Sequence, residues 1–148
     1  MVDYFYLFFS GVVGSVIWIF NTEAYVMFLS FDKNMNPFIA ALIASFGQCV
    51  TWTLLFFFGQ VLQEKWAWLK SKIDGTKEKI LRHSDKVLAF TFSAAVFGIP
   101  PLIGCACLAP VFDLKYKRFI LITFLGRFIR FLFLAVAGKQ LLELWNEF

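Results

Sequence analysis

Residues 87–112 read VLAFTFSAAVFGIPPLIGCACLAPVF, 26 positions without a charged side chain. A spanning helix needs about 20 apolar residues, so length alone would make this a membrane crossing. Its midpoint forbids that. Gly98-Ile99-Pro100-Pro101-Leu102-Ile103-Gly104 places two adjacent prolines where a helix would need both backbone donors. Proline removes the N–H and pushes the preceding residue out of the helical region. Two half-helices joined by a break, entering and leaving on one side, fit the stretch better than one straight span. Irregular backbone at membrane depth is tolerated only where it is buried in protein or lines a wet cavity.

The rest of the chain supplies the membrane. Its 148 residues are 60% hydrophobic, 20% aromatic and 16% charged, with 21 Phe and a mean hydropathy of +0.74. A soluble domain carries about 25% charged residues, and one this small leaves about a third of its unfolded surface exposed, with nowhere to hide so much Phe. A soluble enzyme, a disordered tail and a nucleic-acid module are excluded together. The N-terminus does not read as a cleaved signal, because Asp3 stands where a basic region belongs and no A-x-A site follows. Cys49, Cys105 and Cys107 lie in apolar stretches without a C-x-x-C pair or a second histidine, so they are small apolar filler. No metal or other cofactor is implied.

Working outward from 87–112, the segment 4–31 repeats its design. Positions 4–22 are uncharged, Phe20-Asn21-Thr22-Glu23 interrupts them, and 24–31 is a short apolar return. Asn21 or Thr22 can cap a second half-helix, whose positive end favours Glu23. Positions 35–63 and 119–138 are the two full spans. Sliding the chain along itself until Leu42-Ile43 lies on Leu121-Ile122 also lays Gly47 on Gly126, Leu55 on Leu134, Gly59 on Gly138 and Leu62 on Leu141. The same register carries Gln48 to Arg127, and Glu23 to Leu102 inside the proline break.

The expected fold is therefore an all-α integral membrane protein built as one membrane domain, 1–148. It is an inverted repeat in which each half is a re-entrant helical hairpin plus one full transmembrane helix. Repeat 1 covers 4–62, a cytoplasmic linker 64–86, and repeat 2 87–142. One re-entrant hairpin and one span per half place the second half upside down, as in many secondary transporters. Ten Lys/Arg fall on the face carrying 64–86 and 113–118, against Lys33 and Lys139 on the other. That is a positive-inside signal, and it puts both termini outside the cytoplasm. The linker mixes lysines with Trp66, Trp68, Leu69 and Ile73. It reads either as an amphipathic helix on an anionic leaflet, broken near Gly75, or as a plain loop that sets orientation. His83 stands alone there and is solvated.

Three ionisable residues remain at membrane depth: Glu23, Arg127 and Arg130. Each costs about 2.5–3.5 kcal/mol at a helix centre, so each should face inward and find a partner. Arg127 and Arg130, at i and i+3, share one helical face. Glu23 can neutralise one of them; no other acid lies in an apolar stretch, so the second arginine is left to receive a phosphate. Asn21, Thr22, Pro100 and Pro101 mark the hairpin tips. Gln48 and Thr51 line the cavity between them or simply bond helix backbone. Gly11, Gly14, Gly47 and Gly126 signal close helix packing. No Ser-His-Asp set, catalytic carboxylate pair or Gly-rich phosphate loop occurs, so the chain is not expected to be an enzyme.

The order of an acid-tipped hairpin (Asn21-Thr22-Glu23), a span with Gly47-Gln48, a basic segment, a proline hairpin (Gly98-Ile99-Pro100-Pro101) and Gly126-Arg127-Phe128-Ile129-Arg130 resembles the DedA superfamily. That family is also called the VTT or SNARE-associated domain, and the likeness is to its small YqaA-type members, over residues 5–140. The resemblance implies a lipid flippase or scramblase of the bacterial inner membrane. Its substrates would be undecaprenyl phosphate or phospholipid, with protons as a candidate coupling partner. By match to the motif, Glu23 is the acid of the first hairpin, and Arg127 and Arg130 are the membrane-embedded basic residues. The chain departs from the pattern in its second hairpin, where residues 102–110 carry no charge. Expected partners are membrane lipids, anionic head groups and further copies of the chain, since two spans make a thin protein; nucleic acid is not among them. Two other readings stay open, a non-transporting assembly or scaffold protein and a small-molecule or cation exporter.

Overall fold

The computed structural model describes residues 2–15, 21–32, 35–65, 84–98, 102–110 and 114–147, and every regular element among them is helical. In chain order these are α1 (Val2–Gly14), α2 (Thr22–Asp32), α3 (Pro37–Lys65), α4 (Ser84–Phe97), α5 (Leu102–Leu108) and α6 (Tyr116–Glu147). Within α3 and α6, Pro37–Val61 and Tyr116–Gln140 are each 25 residues long and apolar enough to cross a membrane. At 1.5 Å per residue each rises about 37 Å, enough for a hydrocarbon core of about 30 Å. The 13 residues of α1 and 14 of α4 rise only about 20 Å and span nothing alone.

Both expected interruptions are present. α1 ends at Gly14 and α2 begins at Thr22; α4 ends at Phe97 and α5 begins at Leu102. Gly98 closes α4 with φ of 78°, a conformation that suits glycine at a helix C-terminus, and its N–H reaches the Ala94 carbonyl. Pro100 and Pro101 themselves lie outside the described residues, as do residues 66–83 of the linker. α3 carries on through Glu64 and Lys65, and α4 already starts at Ser84, so both helices encroach on the charged segment.

The chain divides into two compact units, residues 1–51 with 127–148 and residues 52–126. Each contains one hairpin, one portion of α3 and one portion of α6. In the first, Leu7, Val26, Leu29, Ala40, Ala41, Ala44, Phe131 and Ala135 form the core. In the second, Trp52, Phe56, Ala94, Ala95, Leu102, Ala106 and Phe119 do so. Alanine recurs in both cores, and glycines flank them, because helices without a hydrophobic drive between them gain by close backbone approach. A Cβ on Gly11 would stand 2.8 Å from the Ala44 carbonyl oxygen, and one on Gly47 would meet that of Phe8, so α1 and α3 touch backbone to backbone. Gly138 of α6 lies equally close to Met27 of α2, and Gly59 of α3 to Cys107 of α5.

The helix starts follow the sequence register. Pro37 and Tyr116, which open α3 and α6, are equivalent positions in the alignment that pairs Gly47 with Gly126. Thr22 and Leu102, which open α2 and α5, miss equivalence by a single position. Outward-facing large apolar side chains are many, including Phe5, Phe9, Phe28, Phe38, Phe46, Phe97 and Phe133, the last 73% exposed. Soluble monomers rarely expose apolar patches larger than a few hundred Å². This surface suits hydrocarbon.

Candidate functional site

The site grows from the start of α2. Asn21 is its N-cap: Oδ1 accepts the N–H groups of Glu23 at 3.1 Å and Ala24 at 3.4 Å, and the Asn21 carbonyl accepts the N–H of Tyr25. These bonds satisfy donors that every helix start leaves open. Thr22 is buried, and its hydroxyl donates to the Ser10 carbonyl at 2.8 Å, which ties the start of α2 to α1. Of the two expected caps, Asn21 performs the task and Thr22 anchors the hairpin.

Glu23 is thereby held on the first turn of α2, where it meets both arginines of α6. Arg130 grips it with two parallel bonds, Nε to Oε1 and Nη2 to Oε2, each 2.7 Å. Arg127 Nη1 donates to the same Oε1 at 3.3 Å. The reading that one arginine is left over is thus not met, because one carboxylate serves both. The three side chains are unequally covered. Arg127 keeps 11% of its surface, Arg130 23% and Glu23 30%. Taken as ionised, they sum to one positive charge. Between the two arginines in sequence, Phe128 packs edge-on to Phe38 with ring centres 5.3 Å apart and lies against the core that holds Val26, Phe131 and Ala135.

The remaining sequence candidates do other things. Thr51 donates to the Val12 carbonyl at 2.6 Å and so bonds helix backbone, the second of its two expected roles. Gln48 is buried to 3% exposure, and its Oε1 accepts no hydrogen bond from the described residues. Neither is brought to the ion cluster by any contact described. Pro100 and Pro101 fall outside the described residues. Among those described, no cluster of His, Cys, Asp and Glu has metal-binding character, and the three cysteines are free thiols.

Sequence patterning did not foretell an open groove of about 700 Å³ between α1 and α2, lined among others by Tyr6, Phe9, Val13, Asn21, Tyr25 and Phe28. On a helix turning about 100° per residue, Asn21, Tyr25 and Phe28 share one side of α2, while Glu23, Val26 and Ser30 share the opposite one. The groove and the ion cluster therefore use different faces of the same helix. The spacing of these aromatics was its only signal, and among 21 phenylalanines it does not stand out.

No protein-family model, curated protein or solved structure matches the chain. The DedA likeness rests on the residues that carry it.

Proposed function

We propose that this chain is an integral membrane lipid transporter of DedA type, moving a phosphate-bearing lipid across the bacterial inner membrane. The observation that carries the reading is the cluster itself. Two guanidinium groups and one carboxylate meet on an apolar helix, next to the broken start of another, with a positive charge in excess. Guanidinium is suited to phosphate because its fork matches two oxygens at once. In this reading the hairpins are re-entrant and the two halves form an inverted repeat, a plan supported by helix starts that recur in one register. The head group passes beside Arg127 and Arg130 while its tails stay in the bilayer. Glu23 gates the site by competing with phosphate for the arginines. The basic linker faces the cytoplasm, both termini lie outside it, and the working form is a homo-oligomer.

Reconstitution into proteoliposomes with labelled undecaprenyl phosphate and ordinary phospholipid tests this. Arg127→Ala and Arg130→Ala are expected to slow translocation by about tenfold or more, the effect of about 1.4 kcal/mol. Folded variants that move lipid as fast as the original chain would end the proposal.

The two 2.7 Å bonds favour a second reading, in which the cluster only fixes the fold of a membrane scaffold. Exchanging the charges, Glu23→Arg with Arg130→Glu, separates the two. A scaffold should regain both its stability and its full function in the swapped protein. A phosphate pathway should stay inactive even when the swapped protein is stable.

A further inference from the structure

The groove between α1 and α2 lies on the far side of α2 from the ion cluster, and its dimensions suit one kind of guest. Its walls run from Tyr6 to Val13 on α1 and from Asn21 to Phe28 on α2, seven helical steps or about 10 Å in each case. A volume of about 700 Å³ over that length leaves a channel about 8 Å across. One extended hydrocarbon chain is too thin to fill it, and a helix with its side chains, about 10–12 Å across, is too thick. A flat ring system fits. The walls agree with the shape. None of the described lining residues is charged, and Tyr6, Phe9, Tyr25 and Phe28 are aromatic. Phe9 is stacked on Phe5 with ring centres 6.1 Å apart, which steadies its ring. In a bilayer apolar walls alone select nothing, because the competing lipid tails are equally apolar. Selection has to come from ring faces, which prefer stacked or edge-on aromatic partners, and from a polar group in the wall. Asn21 supplies that group. Its Oδ1 is spent on the N–H groups of Glu23 and Ala24, so its amide N–H₂ is left to donate, with no acceptor among the described residues.

We infer that the groove is a binding site for an uncharged, flat ring molecule bearing a carbonyl, the chemistry of a quinone. The ring lies between the aromatic walls and the carbonyl accepts from Asn21; no electron transfer is part of the inference. Asn21 and Ala24 are at once groove wall and partners in the helix cap. The bound ligand therefore also braces the first turn of α2, the turn that carries Glu23. Neither transport nor its substrate enters this inference, and each can fail without the other.

The test titrates the whole detergent-purified chain with decylubiquinone and with methyl palmitate, a linear molecule that has a carbonyl and no ring. Binding is read by calorimetry and by the shift of the unfolding midpoint. The quinone is expected to saturate one site per chain and to bind about tenfold more tightly than the ester. Phe9→Ala and Phe28→Ala, both at exposed positions, should each weaken it by about tenfold. Ala24→Trp, which fills the groove from another exposed position, should abolish it. Asn21→Asp keeps the capping oxygen and removes the donor, so it should weaken the quinone while the unliganded protein unfolds near its original midpoint. Unfolding of every variant without ligand separates a lost site from a lost fold. Equal binding of ester and quinone would make the occupant an acyl chain, and binding that survives Ala24→Trp would lie elsewhere. A dimer that Ala24→Trp dissociates, with no quinone bound, would make this face an interface between copies. Each of these results overturns the inference, as does the absence of binding.

Discussion

Arg127 and Arg130 carry the same group one helical turn apart, yet they hold Glu23 differently. Arg130→Lys keeps the charge and loses the fork. Replacing two short charge-assisted bonds by one is expected to cost about 1–3 kcal/mol of stability. Arg127→Lys, which gives up a 3.3 Å contact, should cost less. Thermal unfolding of the two variants in one detergent compares them, and equal losses would count against the asymmetry. The cap offers a second measurement at this scale. Asn21→Ala should destabilise by about 1 kcal/mol through the loss of the bonds to Glu23 and Ala24, and Asn21→Asp should retain most of it. The three charged residues were legible in the sequence because charges in apolar stretches are rare and stand out. Their stoichiometry was not. Glu23 and Arg130 lie 107 residues apart, and no local periodicity records that one carboxylate meets two cations. Thr51 was undecided for the same reason, since its acceptor, the Val12 carbonyl, belongs to another helix.

At the scale of elements, the breaks were the most readable feature. Pro100-Pro101 and Asn21-Thr22 act through local backbone chemistry, and both interruptions are found where that chemistry puts them. The extension of α3 to Lys65 and the start of α4 at Ser84 were less readable, because Gln63, Glu64 and Lys65 are good helix formers and carry a helix past the edge of an apolar run without marking an end. Gly11, Gly47 and Gly126 were read correctly as packing positions. Their partners were hidden: that Gly11 opposes Ala44 and Gly47 opposes Phe8 depends on how α1 lies along α3. Gly11→Leu is expected to force these backbones apart and lower stability by about 1–3 kcal/mol, as overpacking does. Exposed Phe5→Leu, on the outer side of the same helix, should be nearly neutral. Unfolding midpoints of the two variants, measured together, decide whether the contact is as tight as described.

For the molecule as a whole, composition had already assigned hydrocarbon as the solvent, and the outward phenylalanines agree with it. The chain should therefore stay in the membrane pellet after an alkaline carbonate wash and leave only with detergent. Release by the wash alone would refute a spanning arrangement. The division into units was beyond the sequence reading, which divided the chain into successive repeats. The structure joins residues 1–51 to 127–148 and keeps 52–126 together.

That partition sets an order of events during synthesis. The first unit is missing the α6 strip that completes its core until Arg127 and the residues after it have been made. At about 5–20 residues per second, the intervening segment 52–126 takes on the order of 4–15 s to translate. If the hairpin inserts as proposed, Glu23 has entered the bilayer during that interval and neither of its arginines exists. The nascent hairpin must be sheltered by lipid head groups, an insertion machine or water until the last helix arrives. A chain stopped at Gly126 is frozen at this point, with Glu23 made and both of its arginines missing. Pulse-chase labelling should find it cleared far faster than the full chain, and Glu23→Leu in the same truncation should lengthen its life.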